Sequence, residues 1–358
     1  MPSNHEPDDV LMGGRWYWPM KVRVAIAFFI ALLVLGLFIL AVGWDAVFSA
    51  LARASVAVYV LAFLGCVLMF LGRSIVWHLL LGTVDKRRPY WLVGGVFLTA
   101  MFAKYVTPYG QVASGIGVAA VVSRYYESAY EESLAAILSA DFLNYIPYYT
   151  LGGLGLGYYL FVDGISIPLG PYLPLGTVIV AGALLIFASV WWGRTTVMTA
   201  AISAGAGVRR KISRFFPEFA KRLKREKIVA RFQGFSTTLT LLSRERSTIL
   251  FAVCWAHIAW IGLAVALYFS ASAVGETLPV GIVFLCLALS KLGFIMPTPG
   301  GVGGVEIALA GVLYAVSPAS AATATAIAIL YRFATYWFTI LVGGVTTILL
   351  TVSDPTPP

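Results

Sequence analysis

Residues Lys291–Glu306 read KLGFIMPTPGGVGGVE. A cation opens the stretch, an anion closes it, and two prolines and five glycines lie between them. Apolar runs flank it on both sides, VGIVFLCLALS before and IALAGVLYAV after. Proline brings no backbone N–H and glycine weakens a helix, so no single helix runs through. The stretch predicts two half-helices joined by an irregular turn. At membrane depth such backbone is tolerated only where protein covers it or a watery cavity faces it.

The surroundings are a membrane's. Of 358 residues, 60% are hydrophobic and only 11% charged, and mean hydropathy is +0.88. Repeated apolar runs of bilayer length define an all-α polytopic membrane protein. Full spans are expected near 22–43, 55–82, 133–162, 171–193, 247–271 and 321–350. Two further apolar stretches, 90–122 and 280–316, are broken in the middle and read as re-entrant pairs; two full crossings at each is the other reading, and it leaves every loop on the same side. The first apolar run is too long for a cleaved signal and reads as a retained span. The three cysteines (Cys66, Cys254, Cys286) fall in apolar runs without ligand-like spacing, as small packing residues do. Neither a metal nor a cofactor is expected.

Charge sets the expected orientation. The loop 194–246 carries RRKISRFFPEFAKRLKREKIVAR, and DKRRP at 85–89 and KVR before the first span are basic as well. The loops DGISIPLGPYLP and SAVGETLP hold neither Lys nor Arg. Basic loops belong in the cytoplasm. That places tails 1–21 and 351–358 inside, with halves 22–193 and 247–350 flanking the basic loop. The first re-entrant element then enters from the cytoplasm and the second from outside, the layout of an inverted-topology repeat with a midplane site. Lys104 and Lys291 open the two breaks 187 positions apart. Residues 209–231 mix basic and apolar side chains and read either as a topogenic loop or as a surface on the anionic inner leaflet. No nucleic-acid motif accompanies them.

Six ionisable residues fall within apolar stretches: Arg73, Lys104, Asp141, Lys291, Glu306 and Arg332. Each costs at least ~2.5–3.5 kcal/mol at mid-bilayer on insertion scales and so needs a partner or a function. Four are cations. If Glu306 neutralises Arg332 and Asp141 another cation, two positive charges remain, which suits an anionic substrate. The half-helix after Pro299 offers backbone donors to an anion; close packing through Gly300 and Gly304 is the other reading. Asp141 and Asn144 share a helix face. No nucleophile–base pair, metal cluster or P-loop is present. The acidic cluster Glu127, Glu131 and Glu132 reads as a solvated helix face.

MPTPGGVGGVE followed by LYRFATY resembles the lysylphosphatidylglycerol synthase transmembrane-region family, also called flippase-like or uncharacterised protein family 0104. Pro297, Pro299, Gly300, Gly301, Gly303 and Glu306 match its P-x-P-G-G-x-G-x-x-E signature. Tyr331, Arg332 and Tyr336 match the following element, and Pro108 and Gly110 an earlier motif. Gln111 stands where the family often has Glu, and SAD precedes Phe142 where a Glu-Arg pair is often found. The resemblance implies the lipid-moving half of such a synthase without its soluble aminoacyl-transferase domain, hence a transporter and not an enzyme. The expected substrate is an anionic phospholipid or polyprenyl-phosphate lipid. It would be held by Lys104, Pro108, Gly110, Gln111, Lys291, the Pro297–Glu306 turn and Arg332, with Arg73, Asp141 and Asn144 balancing charge. A lipid-modifying enzyme is the partner this implies. An intramembrane transferase or its accessory subunit, and a small-solute transporter, are the alternatives.

Overall fold

A computed structural model describes residues 20–84, 88–107, 122, 130–162, 244–296 and 298–353. The expected span 171–193, the basic surface 209–231 and the return arm of the first broken stretch lie outside them. Among the described residues every regular element is helical. The helices are α1 (Met20–Val42), α2 (Trp44–Ala52), α3 (Val56–Val84), α4 (Tyr90–Val106), α5 (Tyr130–Leu143), α6 (Tyr145–Phe161), α7 (Arg246–Ala273), α8 (Val280–Ser290), α9 (Gly304–Val316), α10 (Ala321–Arg332) and α11 (Phe338–Ser353). By length and composition four stretches suit a membrane crossing: α3, α7, Pro299–Val316 and Ala321–Val352. A fifth is added if the bent pair α1–α2 counts as one.

The core is built on α3 and α7. On α7, Ala252, Ala259, Ala266 and Ala273 recur every seventh residue, and all are buried. On α3, Gly65 and Gly72 have the same spacing. Gly65 meets Gly262 and Ala266, and Gly72 meets Trp255 and Ala259, so the helices run antiparallel. A Cβ on Gly65 would stand 2.5 Å from the Gly262 carbonyl oxygen, and one on Gly262 would stand 2.6 Å from that of Gly65. Lipid tails are as apolar as leucine. Helices in a bilayer therefore associate by backbone approach and van der Waals packing, which small residues permit.

Two more antiparallel pairs flank this seam. Gly155 of α6 lies on the backbone of Gly281 and Leu285 in α8, while Gly152 meets Ala288. Gly343 of α11 lies on the Leu98 carbonyl of α4, and Gly95 of α4 meets Thr346 and Leu350.

Three elements depart from the sequence reading. The chain turns by 94° between α1 and α2, at Gly43, whose φ is 115°. Positive φ there needs glycine. In α2, Val47 and Ala50 are buried while Trp44 and Phe48 are exposed, the split of a helix with one face on protein. The expected span 133–162 is interrupted at Asn144. Pro147 has no N–H to return to the carbonyl of Leu143, four residues back, so the helix is weakened there. Finally, the last span carries a π-helical turn, Phe333–Trp337, between α10 and α11. Of the cysteines, Cys66 and Cys286 are buried, whereas Cys254 is exposed on α7.

The α3–α7 seam predicts a sharp difference between glycines. Gly262→Leu puts a branched side chain into backbone and is expected to cost about 1–3 kcal/mol or more. Gly157→Ala, with nothing within 4 Å of its added Cβ, is expected to change stability by less than about 1 kcal/mol. Thermal unfolding in detergent, followed by loss of the monodisperse peak, compares the two.

Candidate functional site

The KLGFIMPTPGGVGGVE stretch folds back on itself. Lys291–Ile295 tightens into a 3₁₀ turn, and Gly293 and Gly304 bring their backbones together across the bend. Gly300, Gly301 and Gly303 have φ of 56°, 69° and 85°, values that L side chains rarely adopt. These glycines interrupt the helix, and α9 proper has 13 residues. At 1.5 Å per residue that is about 20 Å, so the crossing length of Pro299–Val316 includes the turn itself.

One ion pair closes this turn. Arg332 donates from Nε to Glu306 Oε1 at 2.9 Å and from Nη2 to the Gly300 carbonyl at 2.8 Å. Glu306 Oε2 accepts from the Gly303 N–H at 2.8 Å. The carboxylate therefore caps α9 and pairs with the guanidinium at once. Tyr336 lies 4.2 Å from the guanidinium carbon, covers Gly300 so closely that no Cβ fits, and donates to the Pro299 carbonyl at 3.2 Å. Thr298 donates to the Val302 carbonyl at 2.8 Å. Glu306 and Arg332 are 2% and 5% exposed. Burial at that level demands full hydrogen bonding, because a charge left alone in the interior is strongly destabilising.

Beside the clamp is a cavity of about 340 Å³. Arg73 from α3, Lys104 from α4, Asp141 and Asn144 from the α5–α6 break, Lys291 from the 3₁₀ turn and Arg332 from α10 all line it. Residues scattered across 260 positions of sequence thus meet at one space. Lys104 stands 3.7 Å from Asp141. Lys291 lies against the faces of Trp260 and Phe294, its Nζ at 5.4 and 5.2 Å from the ring centroids. Arg73 Nε is buried without a hydrogen-bond partner. Among the described residues no carboxylate pairs with Arg73 or Lys291.

The sequence-derived set divides in two. Arg73, Lys104, Asp141, Asn144, Lys291 and Arg332 face the cavity. Pro299, Gly300, Gly301 and Gly303 do not line it. Pro299 and Gly300 are packed under Arg332 and Tyr336, Gly301 lies against Phe294 and Val305, Gly303 lies against Ala31 and Val34, and the Gly303 N–H, one of the donors expected to meet an anion, is taken by Glu306. Pro108, Gly110, Gln111 and Pro297 lie outside the described residues.

Sequence reasoning missed the aromatic wall. Tyr105, Tyr145, Tyr148, Tyr149 and Trp260 line the cavity with the cations. The Trp260 indole donates to the Asn144 carbonyl at 2.9 Å and so joins α7 to the α5–α6 break. The signal was YIPYY at 145–149, directly after Asp141 and Asn144. Among the described residues there is no cluster of three metal-ligating side chains.

Long apolar helices, buried charges and a helix interrupted at a cationic cavity define a multi-pass membrane protein. The family model for the lysylphosphatidylglycerol synthase TM region matches residues 24–343, nearly the whole chain, and the protein belongs to that family. The family relates it to lipid handling. No match to the chain is found among curated proteins.

The clamp predicts strong coupling between its members. Glu306→Gln and Arg332→Met should each destabilise the protein. The double variant should lose about 2–3 kcal/mol less than the two losses combined, because it leaves no buried charge unpaired. A double-mutant cycle of unfolding in mixed micelles measures this.

Proposed function

We propose that the protein is a lipid translocase that moves an anionic phospholipid or a polyprenyl-phosphate lipid between leaflets. The observation that carries this is the cavity's charge. Four cations line it, and only Lys104 and Arg332 are matched by carboxylates among the described residues. Cations at such depth are costly unless they meet an anion. An aromatic wall beside them suits a molecule that is charged at its head and apolar behind it.

The architecture supports the same reading. Helix α4 packs on α11, α8 packs on α6, and α3 and α7 pack on each other. Exchanging α3 with α7, α4 with α8 and α6 with α11 leaves that pattern unchanged. Lys104 closes α4 and Lys291 directly follows α8. This is the pairing expected of inverted halves, with re-entrant breaks that meet at the substrate. Rocking of one half against the other would expose the cavity to each leaflet in turn. The basic loops, and with them both termini, would lie on the cytoplasmic side, where residues 209–231 would meet anionic lipid. A lipid-modifying enzyme would supply or take the moved lipid.

The test is transbilayer exchange. In liposomes holding the purified protein, acyl-labelled phosphatidylglycerol and labelled polyprenyl phosphate are followed by dithionite quenching. Exchange above protein-free liposomes is expected for at least one lipid. It should slow by about tenfold or more in Lys291→Gln, the loss of one desolvated charge contact. Wild-type protein that moves neither lipid overturns the proposal.

A further inference from the structure

The charge balance of the cavity narrows the ligand. Resting on the translocase reading for its membrane context, we infer that the cavity takes a phosphomonoester dianion in preference to a phosphodiester monoanion. Four cations meet at the cavity wall, with Asp141 beside Lys104 and Glu306 beside Arg332. Among the described residues two positive charges are left, on Arg73 and Lys291. They come from different elements, α3 and the 3₁₀ turn after α8. A phosphodiester headgroup brings one negative charge and leaves one of the two unmatched. A phosphomonoester brings nearly two at neutral pH, with three oxygens to accept hydrogen bonds.

The two unmatched cations suit different parts of that task. Arg73 has a buried Nε that lacks a partner, and a guanidinium is shaped to grip a phosphate through parallel hydrogen bonds. Lys291 rests between the rings of Trp260 and Phe294. Aromatic faces stabilise a desolvated ammonium without supplying a counter-charge, which an entering anion would bring. Volume admits the ligand without choosing it. About 340 Å³ is the small end of the range for ligand sites, room for a small phosphate head of either kind, so charge and not size is what separates the two.

The experiment is binding to the purified full-length protein in neutral detergent at pH 7.5, by isothermal titration. Dioctanoyl phosphatidic acid, the monoester, is compared with dioctanoyl phosphatidylglycerol, the diester, on the same chains. Glycerol 3-phosphate, a monoester without chains, is the third ligand. Phosphatidic acid is expected to bind about tenfold or more tightly than phosphatidylglycerol, the worth of one additional desolvated charge contact. That ratio should fall towards one in Arg73→Gln and in Lys291→Gln, and return in Arg73→Lys. Glycerol 3-phosphate binding as tightly as phosphatidic acid would keep the monoester and assign it to a soluble phosphate; weaker binding would assign it to a lipid. Equal affinity for the two lipids, or a ratio that survives both charge removals, overturns the inference. Binding is read apart from transport. Exchange without this preference refutes the monoester and leaves the translocase, and the preference without exchange does the reverse.

Discussion

The buried pair between Glu306 and Arg332 is the interaction on which the rest of the site depends. A glycine-rich turn cannot hold itself together. It has few side chains to pack, Val302 chief among them, and three of its glycines sit at positive φ. The pair supplies what the turn lacks. One carboxylate reaches the Gly303 N–H and the guanidinium together, and that guanidinium reaches the Gly300 carbonyl. Three separate parts of the chain are fixed by three hydrogen bonds, and the Tyr336 ring closes over them. Because α9 begins at this knot and α10 ends at it, their placement follows from the same contacts.

The knot also explains why Arg332 is a poor candidate for the charge that first meets a ligand. Its Nε and Nη2 are committed to the turn. Its contribution to the cavity is a fixed positive field, with the carboxylate held behind it. The π-helical turn at Phe333–Trp337 follows immediately. Widening a helix by one residue shifts the side chains beyond it around the axis, and here that places Tyr336 over Gly300 while Thr335 still faces the cavity.

Much of this was legible in the sequence. The seven-residue recurrence of alanine in ILFAVCWAHIAWIGLAVALYFSASA is a packing-seam signal that sequence reasoning passed over, although α-helical period and backbone approach both require it. Lys104, Asp141, Lys291, Glu306 and Arg332 stood out because hydrocarbon makes each one costly. What the sequence hid has physical reasons as well. The bend at Gly43 depends on one φ angle, and an apolar run reads the same whether it continues or turns. The break at Asn144 was visible only as Pro147, and proline inside a membrane helix is often absorbed with a mild kink. The role of the turn glycines was divided between donor site and close packing, two uses with identical composition. Which one holds depends on where a carboxylate three residues later points. The tyrosines passed unnoticed because an aromatic in an apolar helix faces lipid, protein or cavity with equal ease.

The two unmatched cations are the most informative cost in the structure. Each carries an insertion penalty of ~2.5–3.5 kcal/mol or more at membrane depth. The faces of Trp260 and Phe294 offset part of it for Lys291, since a cation–π contact is worth about 2 kcal/mol when desolvated. Arg73 has no such aromatic contact among the described residues, and its Nε lacks even a hydrogen-bond acceptor. A protein concerned only with stability would fill this space with leucine, as the neighbouring α3–α7 seam fills its own with alanine and glycine. The seam's close packing is what lets the fold carry the deficit. Stability gathered along one helix pair thus supports a destabilised cavity beside it, and an anion entering that cavity meets charges already desolvated and held in place.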